Sequence, residues 1–150
     1  MKSIAAIAAL SVLPLIPFSA HAQFAKIEDA VKYRKAVFQV MSNHMGRVGA
    51  VVKGERPYDK ASLEADVAII ETMAKQPWIA FPAGSEITGS TAHPAIWNEP
   101  EKYRAAADKM QAEVAKLSAA ARTGDLAAIR SAFGSTGQSC KACHDNFRRK

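Results

Sequence analysis

Residues 27–52 read IEDAVKYRKAVFQVMSNHMGRVGAVV, and the spacing of their apolar side chains decides the fold class. On a wheel of about 100° per residue, Ile27, Val31, Arg34, Phe38, Met41, Met45, Val48 and Val52 fall within roughly a quarter turn. That is the stripe of an amphipathic helix, whereas a strand would alternate with period two. Glu28 and Asp29 in the first turn complement the helix dipole, and Gly54 with Pro57 ends the run. Arg34 is the one charged member of the stripe.

The same period recurs downstream. Asp59 suits the N-cap of a second helix, in which Leu63, Val67, Ile70 and Met73 repeat before Pro77. Asn98, followed by Pro100 and Glu101, is the expected cap of a third. Tyr103, Ala106, Met110, Val114, Leu117 and Ala121 form its apolar face, and Gly124 closes it. Asp125 caps a fourth, where Leu126, Ile129, Phe133, Thr136, Cys140, Cys143 or His144, and Phe147 keep a seven-residue rhythm. No stretch shows a convincing strand pattern. Four helices with two short connections predict an all-α, antiparallel up-down-up-down four-helix bundle. The connection from Pro77 to Trp97 is longer than compact domains usually tolerate. Its Trp78, Ile79, Phe81, Ile87 and Trp97 predict that it folds back over one end of the bundle.

The chain has 150 residues, 49% hydrophobic, 23% charged and 7% aromatic, which fits one modest globular domain and excludes a multidomain enzyme or a low-complexity chain. Lys2, an apolar run from Ile4 to Phe18 broken by Pro14 and Pro17, and Ala20-His21-Ala22 read as a secretory signal peptide over residues 1–22. The expected domain is residues 23–150. The run is too short for a comfortable bilayer span and no second one follows, so no membrane insertion is expected after signal removal. The net charge of +6 is scattered through helical segments without an aromatic-interleaved motif, which argues against a nucleic-acid partner. Two cysteines, three apart, make no disulfide framework.

Cys140-Lys141-Ala142-Cys143-His144 is instead the attachment signature for a c-type haem: two thiols add to the vinyl groups and the histidine ligates iron. On a helix, steps of three and four share a face, so both sulfurs and the imidazole meet one flat macrocycle from the same side. A thioredoxin-like dithiol would lie at a helix start beside a strand, and no such pattern exists here. A structural zinc site wants four ligands, but adjacent Cys143 and His144 are awkward together and only His44 and His93 remain outside the signal. Export agrees with haem c, which is attached outside the cytoplasm.

With Gln23-Phe24-Ala25-Lys26, Lys32-Tyr33-Arg34, Pro77-Trp78, Phe81 and the closing Cys140 to Asp145, the region after the signal resembles the cytochromes c′, class II c-type cytochromes. The resemblance implies a periplasmic homodimer with one covalent haem c and a five-coordinate, high-spin iron held by His144. It also implies binding of nitric oxide and carbon monoxide in preference to oxygen. The family position above the iron falls four residues after the first-helix arginine, on Phe38, where relatives often carry leucine. A phenyl ring neither ligates iron nor donates a conventional hydrogen bond, so that face would lack the polar support that stabilises oxygen.

Arg34 within an apolar stripe needs a partner, because an unpaired buried guanidinium costs several kcal/mol in order of magnitude. A haem propionate would supply a carboxylate, the role the resemblance assigns to the matching arginine, the alternative being that Arg34 snorkels to solvent near the helix start. Lys35 would reach the same edge. Arg148, one turn beyond His144, would lie beside the imidazole, while also complementing the helix dipole as an ordinary C-terminal charge. Met41, one turn after Phe38, reads as core packing and is also the rival sixth ligand, whose ligation would make a low-spin electron carrier. His44, about 120° from Phe38 on the wheel, reads as surface or interface, and His93 has no evident ligand partner.

Reversible gas binding with one-electron exchange is therefore the leading expectation. The runner-up is a dedicated carrier, whose Lys141, Arg148 and Arg149 would steer an acidic, unidentified redox partner. No Ser-His-Asp set, second metal site or distal acid-base pair is apparent, so no enzymatic activity is expected. Val37, Val40 and Ile69 are apolar residues expected to face outward at a dimer contact, or equally to serve contacts within the chain.

Overall fold

The computed structural model describes residues 23–149, so the expected signal segment lies outside the described residues. Among them are α1 (Ile27–Val52), α2 (Lys60–Met73), α3 (Ala95–Asn98), α4 (Pro100–Thr123) and α5 (Leu126–Phe147), with a 3-10 turn at Pro77–Ala80 and no strand. α1, α2, α4 and α5 form the expected up-down-up-down bundle, α1 packing on α2, α2 on α4 and α4 on α5. No helix here is long and apolar enough to cross a membrane.

Local chemistry sets the helix ends. Asp59 accepts from the Ser62 amide at 2.8 Å, and Asp125 from those of Ala127 and Ala128 at 2.8 and 3.3 Å, as the sequence predicts. The third cap differs from expectation. Asn98 ends α3, and the N-cap of α4 is Glu99 without a side-chain bond. Pro100 at the first helical position has no amide to satisfy and a fixed φ suited to a helix, which suffices to start α4. Gly124, at φ 77°, closes it in the left-handed conformation that glycine adopts without penalty.

Val48, Val67, Ile70, Val114, Leu117 and Ile129 are the fully buried apolar centre. The buried arc of α1 is wider than the sequence stripe. Ile27 is exposed, while Ala30 and Val37 are buried, because α1 packs against both α2 and the 3-10 turn. Val37 is therefore not an outward residue.

α1 and α5 run antiparallel and close tightly at one end only. A Cβ on Gly49 would come within 3.1 Å of Phe133 Cζ, and Arg130 Nε donates to the Val52 carbonyl at 2.7 Å. Toward the opposite end, rings carry the contact from Phe38 on α1 through Trp78 and Tyr103 to Phe147 on α5, with successive centroids 6.2, 6.0 and 5.4 Å apart. The long connection folds over this end, as expected: Phe81, Ile96 and Trp97 pack with Tyr103 and Phe147. Ile79 does not join them and stays exposed.

Candidate functional site

α5 is helical through Cys140, Cys143 and His144, which puts them at steps of three and four on one face. Neither cysteine is in a disulfide and both are half-buried, Cys140 against the main core and Cys143 against the cluster of Ala92, Ile96 and Phe147. Burial raises the Cys140 thiol despite a hydrogen bond with Ser139, and burial with the neighbouring Cys140 pushes Cys143 up to about 11. Both sulfurs are thus protonated at neutral pH, unlike the lowered thiol of a redox dithiol. His144 is exposed on its outer side. Desolvation and the positive charge of Arg148 lower its pKa, opposed by Asp145, which keeps the imidazole neutral and its lone pair available.

Arg148 thus stands beside His144, and its backbone amide donates to the His144 carbonyl at 3.1 Å. Its own backbone pairs with Ala92 in an isolated antiparallel bridge. Phe38 is half-buried, packed on the main core and edge-on to Trp78, whose Nε1 donates to the Ala74 carbonyl at 2.7 Å. Met41 is buried in the core cluster with Val48 and Met110. His44 is half-buried and bonds Asp66 on α2 at 2.6 Å, and His93 Nδ1 accepts from the Ala95 amide.

Arg34 finds partners within the chain itself. The residue is 4% exposed, and all four terminal N–H donors reach neutral oxygens. Nη1 donates to the Ala80 carbonyl and Ser85 Oγ at 2.7 Å each, and Nη2 to the Ser85 carbonyl at 2.6 Å and Ser90 Oγ at 2.8 Å. The Phe81 ring lies 4.4 Å beneath it. Desolvation lowers the Arg34 pKa, opposed by Tyr103 and Glu86. Lys35 remains exposed at this edge, Nζ donating to the Gly89 carbonyl at 3.4 Å.

Ser85, Ser90 and Tyr103 were not singled out as site residues in the sequence. The Tyr103 hydroxyl is buried without a hydrogen-bond partner in the protein, and burial raises its pKa strongly, with Cys143 adding and Arg34 opposing. Its place on the apolar face of α4 was a usable signal, since a buried tyrosine normally seeks a partner for its polar tip.

The donor set suits a c-type haem: two neutral thiols and a neutral imidazole on one helical face, bordered by Trp78, Phe81, Tyr103 and Phe147, with one buried hydroxyl unsatisfied by the chain. It does not suit zinc, because no three His, Cys, Asp or Glu residues gather among the described residues.

Residues 29–148 match the family model described as cytochrome c′. The chain is 48% identical over 128 residues to a cytochrome c′ of Alcaligenes xylosoxydans xylosoxydans, covering 85% of this chain and 99% of that one. Its fold is similar to a nitric oxide complex of a point variant of cytochrome c prime from Alcaligenes xylosoxidans, with TM-score 0.81, 47% identity and 85% and 100% of the two chains covered. A carbon-monoxide-bound variant of the same protein matches with the same score, identity and coverage.

Proposed function

Because the chain belongs to the cytochrome c′ family, and so carries covalently attached haem c, we propose that it is a periplasmic protein that binds nitric oxide and carbon monoxide reversibly, without catalysis. Cytochromes c′ are themselves standard examples of the up-down bundle. The haem supplies one iron that takes a diatomic ligand and exchanges a single electron. Cys140 and Cys143 hold it through thioethers and His144 ligates it. Structures of a relative with each of the two gases support that ligand class.

The observation that carries the reading is the division of labour on α1. Phe38 is the residue edge-on to Trp78, while Met41 is buried in the core. A phenyl ring offers no ligand atom, which favours a five-coordinate, high-spin centre over methionine ligation. Phe38 also excludes water and restricts the room for an incoming ligand. Arg148 sits beside the imidazole, and Lys35 keeps a cation near the haem edge. One-electron exchange with an acidic redox partner is a secondary role, drawing on exposed Lys141, Arg148 and Arg149.

Optical and electron-spin-resonance spectra of the exported protein, ferric and ferrous, test the reading. High-spin signals and a ferrous form that binds both gases are expected. A low-spin signal with a methionine-type charge-transfer band would instead make Met41 the sixth ligand.

A further inference from the structure

The long connection between α2 and α4 is anchored at two places that share one side chain. Ser90 Oγ accepts from Arg34 Nη2 at 2.8 Å and from the backbone amide of Ala92 at 3.1 Å. Ala92 is the residue bridged to Arg148, the first residue after α5. On either side of that bridge, the His93 amide donates to the Phe147 carbonyl at 3.0 Å and the Arg149 amide to the Thr91 carbonyl at 2.8 Å. The path from α1 to the end of α5 is thus a sequence of short hydrogen bonds.

We propose that Ser90 is a positioning residue, coupling Arg34 on α1 to the last turn of α5 and thereby holding the backbone that carries His144. The last turn of a helix lacks intrahelical partners for its carbonyls and frays readily. α5 ends without a glycine cap: Arg148 is extended, at φ −120° and ψ 129°, and goes straight into the bridge. His144 lies within that last turn, and its carbonyl accepts from the Arg148 amide. Whatever fixes Thr91 to His93 therefore limits the excursions of the imidazole. Arg34, at the other end of the path, is one turn from Phe38 on the same helix. The strap thus references the turn that carries His144 to the helix that carries Phe38.

Ser90→Ala and Ser90→Thr in the haem-loaded protein test this, the second variant keeping the hydroxyl. Amide exchange at His93 and Arg149 is expected to quicken about tenfold in Ser90→Ala, as for loss of a shared hydrogen bond, and to stay near the parent rate in Ser90→Thr. Exchange at Val67 and Ile70 on α2 is expected to be unchanged. The iron–imidazole stretching band of the ferrous form should shift in Ser90→Ala and return in Ser90→Thr. Unchanged exchange in Ser90→Ala, failure of the threonine to restore it, or faster exchange with an unmoved band would each overturn the proposal. None of these readouts requires a gas to bind, so the outcome is separable from the gas-binding reading.

Discussion

Phe38 meets Trp78 edge to face, with ring centroids 6.2 Å apart and planes inclined at 78°. Trp78 is itself fixed by its indole bond to the Ala74 carbonyl, so the phenyl ring packs on a wall that does not swing away. If the ring blocks ligand entry, removing it lowers the barrier. Phe38→Ala is expected to raise the carbon monoxide association rate of the ferrous protein by about tenfold or more, roughly 1.4 kcal/mol of activation free energy. Flash photolysis measures this directly, and an unaltered rate would show that Phe38 only packs.

The Tyr103 hydroxyl is buried with no partner in the chain, which costs about 1–3 kcal/mol for an unsatisfied group. Tyr103→Phe removes the hydroxyl and keeps the ring contacts with Trp78, Phe81 and Phe147. A rise in Tm of a few degrees is expected, about 1 kcal/mol for a domain of this size. A fall would mean that the hydroxyl is bonded in the haem-loaded protein.

The same group contributes to the alkaline limb of stability. Burial raises its folded pKa above the unfolded value near 10, so above that pH the unfolded chain binds fewer protons than the folded one. Stability is then full below about pH 10 and falls as pH rises, by up to about 1.4 kcal/mol per unit from this one group. Urea titrations between pH 9 and 11, a range of roughly two units about the tyrosine pKa, should show that slope in the parent and a shallower one in Tyr103→Phe. Equal slopes would assign the alkaline loss elsewhere.

Arg34→Met keeps the long stem and removes four donors from the Ala80 and Ser85 carbonyls and the Ser85 and Ser90 hydroxyls. Two of those acceptors belong to Ser85, which is fully buried, so they cannot turn to water without local opening. A loss of about 3 kcal/mol is expected from a denaturant midpoint, in line with breaking a buried charged network. A loss below about 1 kcal/mol would show that the connection holds itself in place.

The helices were legible because their signals are local. Periodicity fixed the span of α1, and Asp59, Gly124 and Asp125 acted as the caps and stops their chemistry predicts. Asn98 misled because the short α3 takes it as its last residue, which leaves Glu99, directly before Pro100, as the N-cap of α4. The partners of Arg34 were out of reach for a different reason. Ser85 and Ser90 lie more than fifty residues away, in a segment without periodicity, and two serines carry no mark of facing a guanidinium. That several neutral oxygens converge on this buried cation is a property of the folded connection alone.

The register of α1 against α2 brings two exposed apolar residues together. His44 bonds Asp66 at 2.6 Å across the two antiparallel helices, so Val40, one turn before His44, lies level with Ile69, one turn after Asp66. Val40 and Ile69 are 38% and 37% exposed, whereas Val37 is inside. In a twofold dimer each substitution on this face is present twice, so Val40→Glu introduces two like charges into one apolar contact. Equilibrium sedimentation is expected to show twice the chain mass for the parent and a single chain for Val40→Glu, with haem spectra unchanged. A parent that sediments as one chain, or a variant that stays paired, would remove these two helices from the subunit contact.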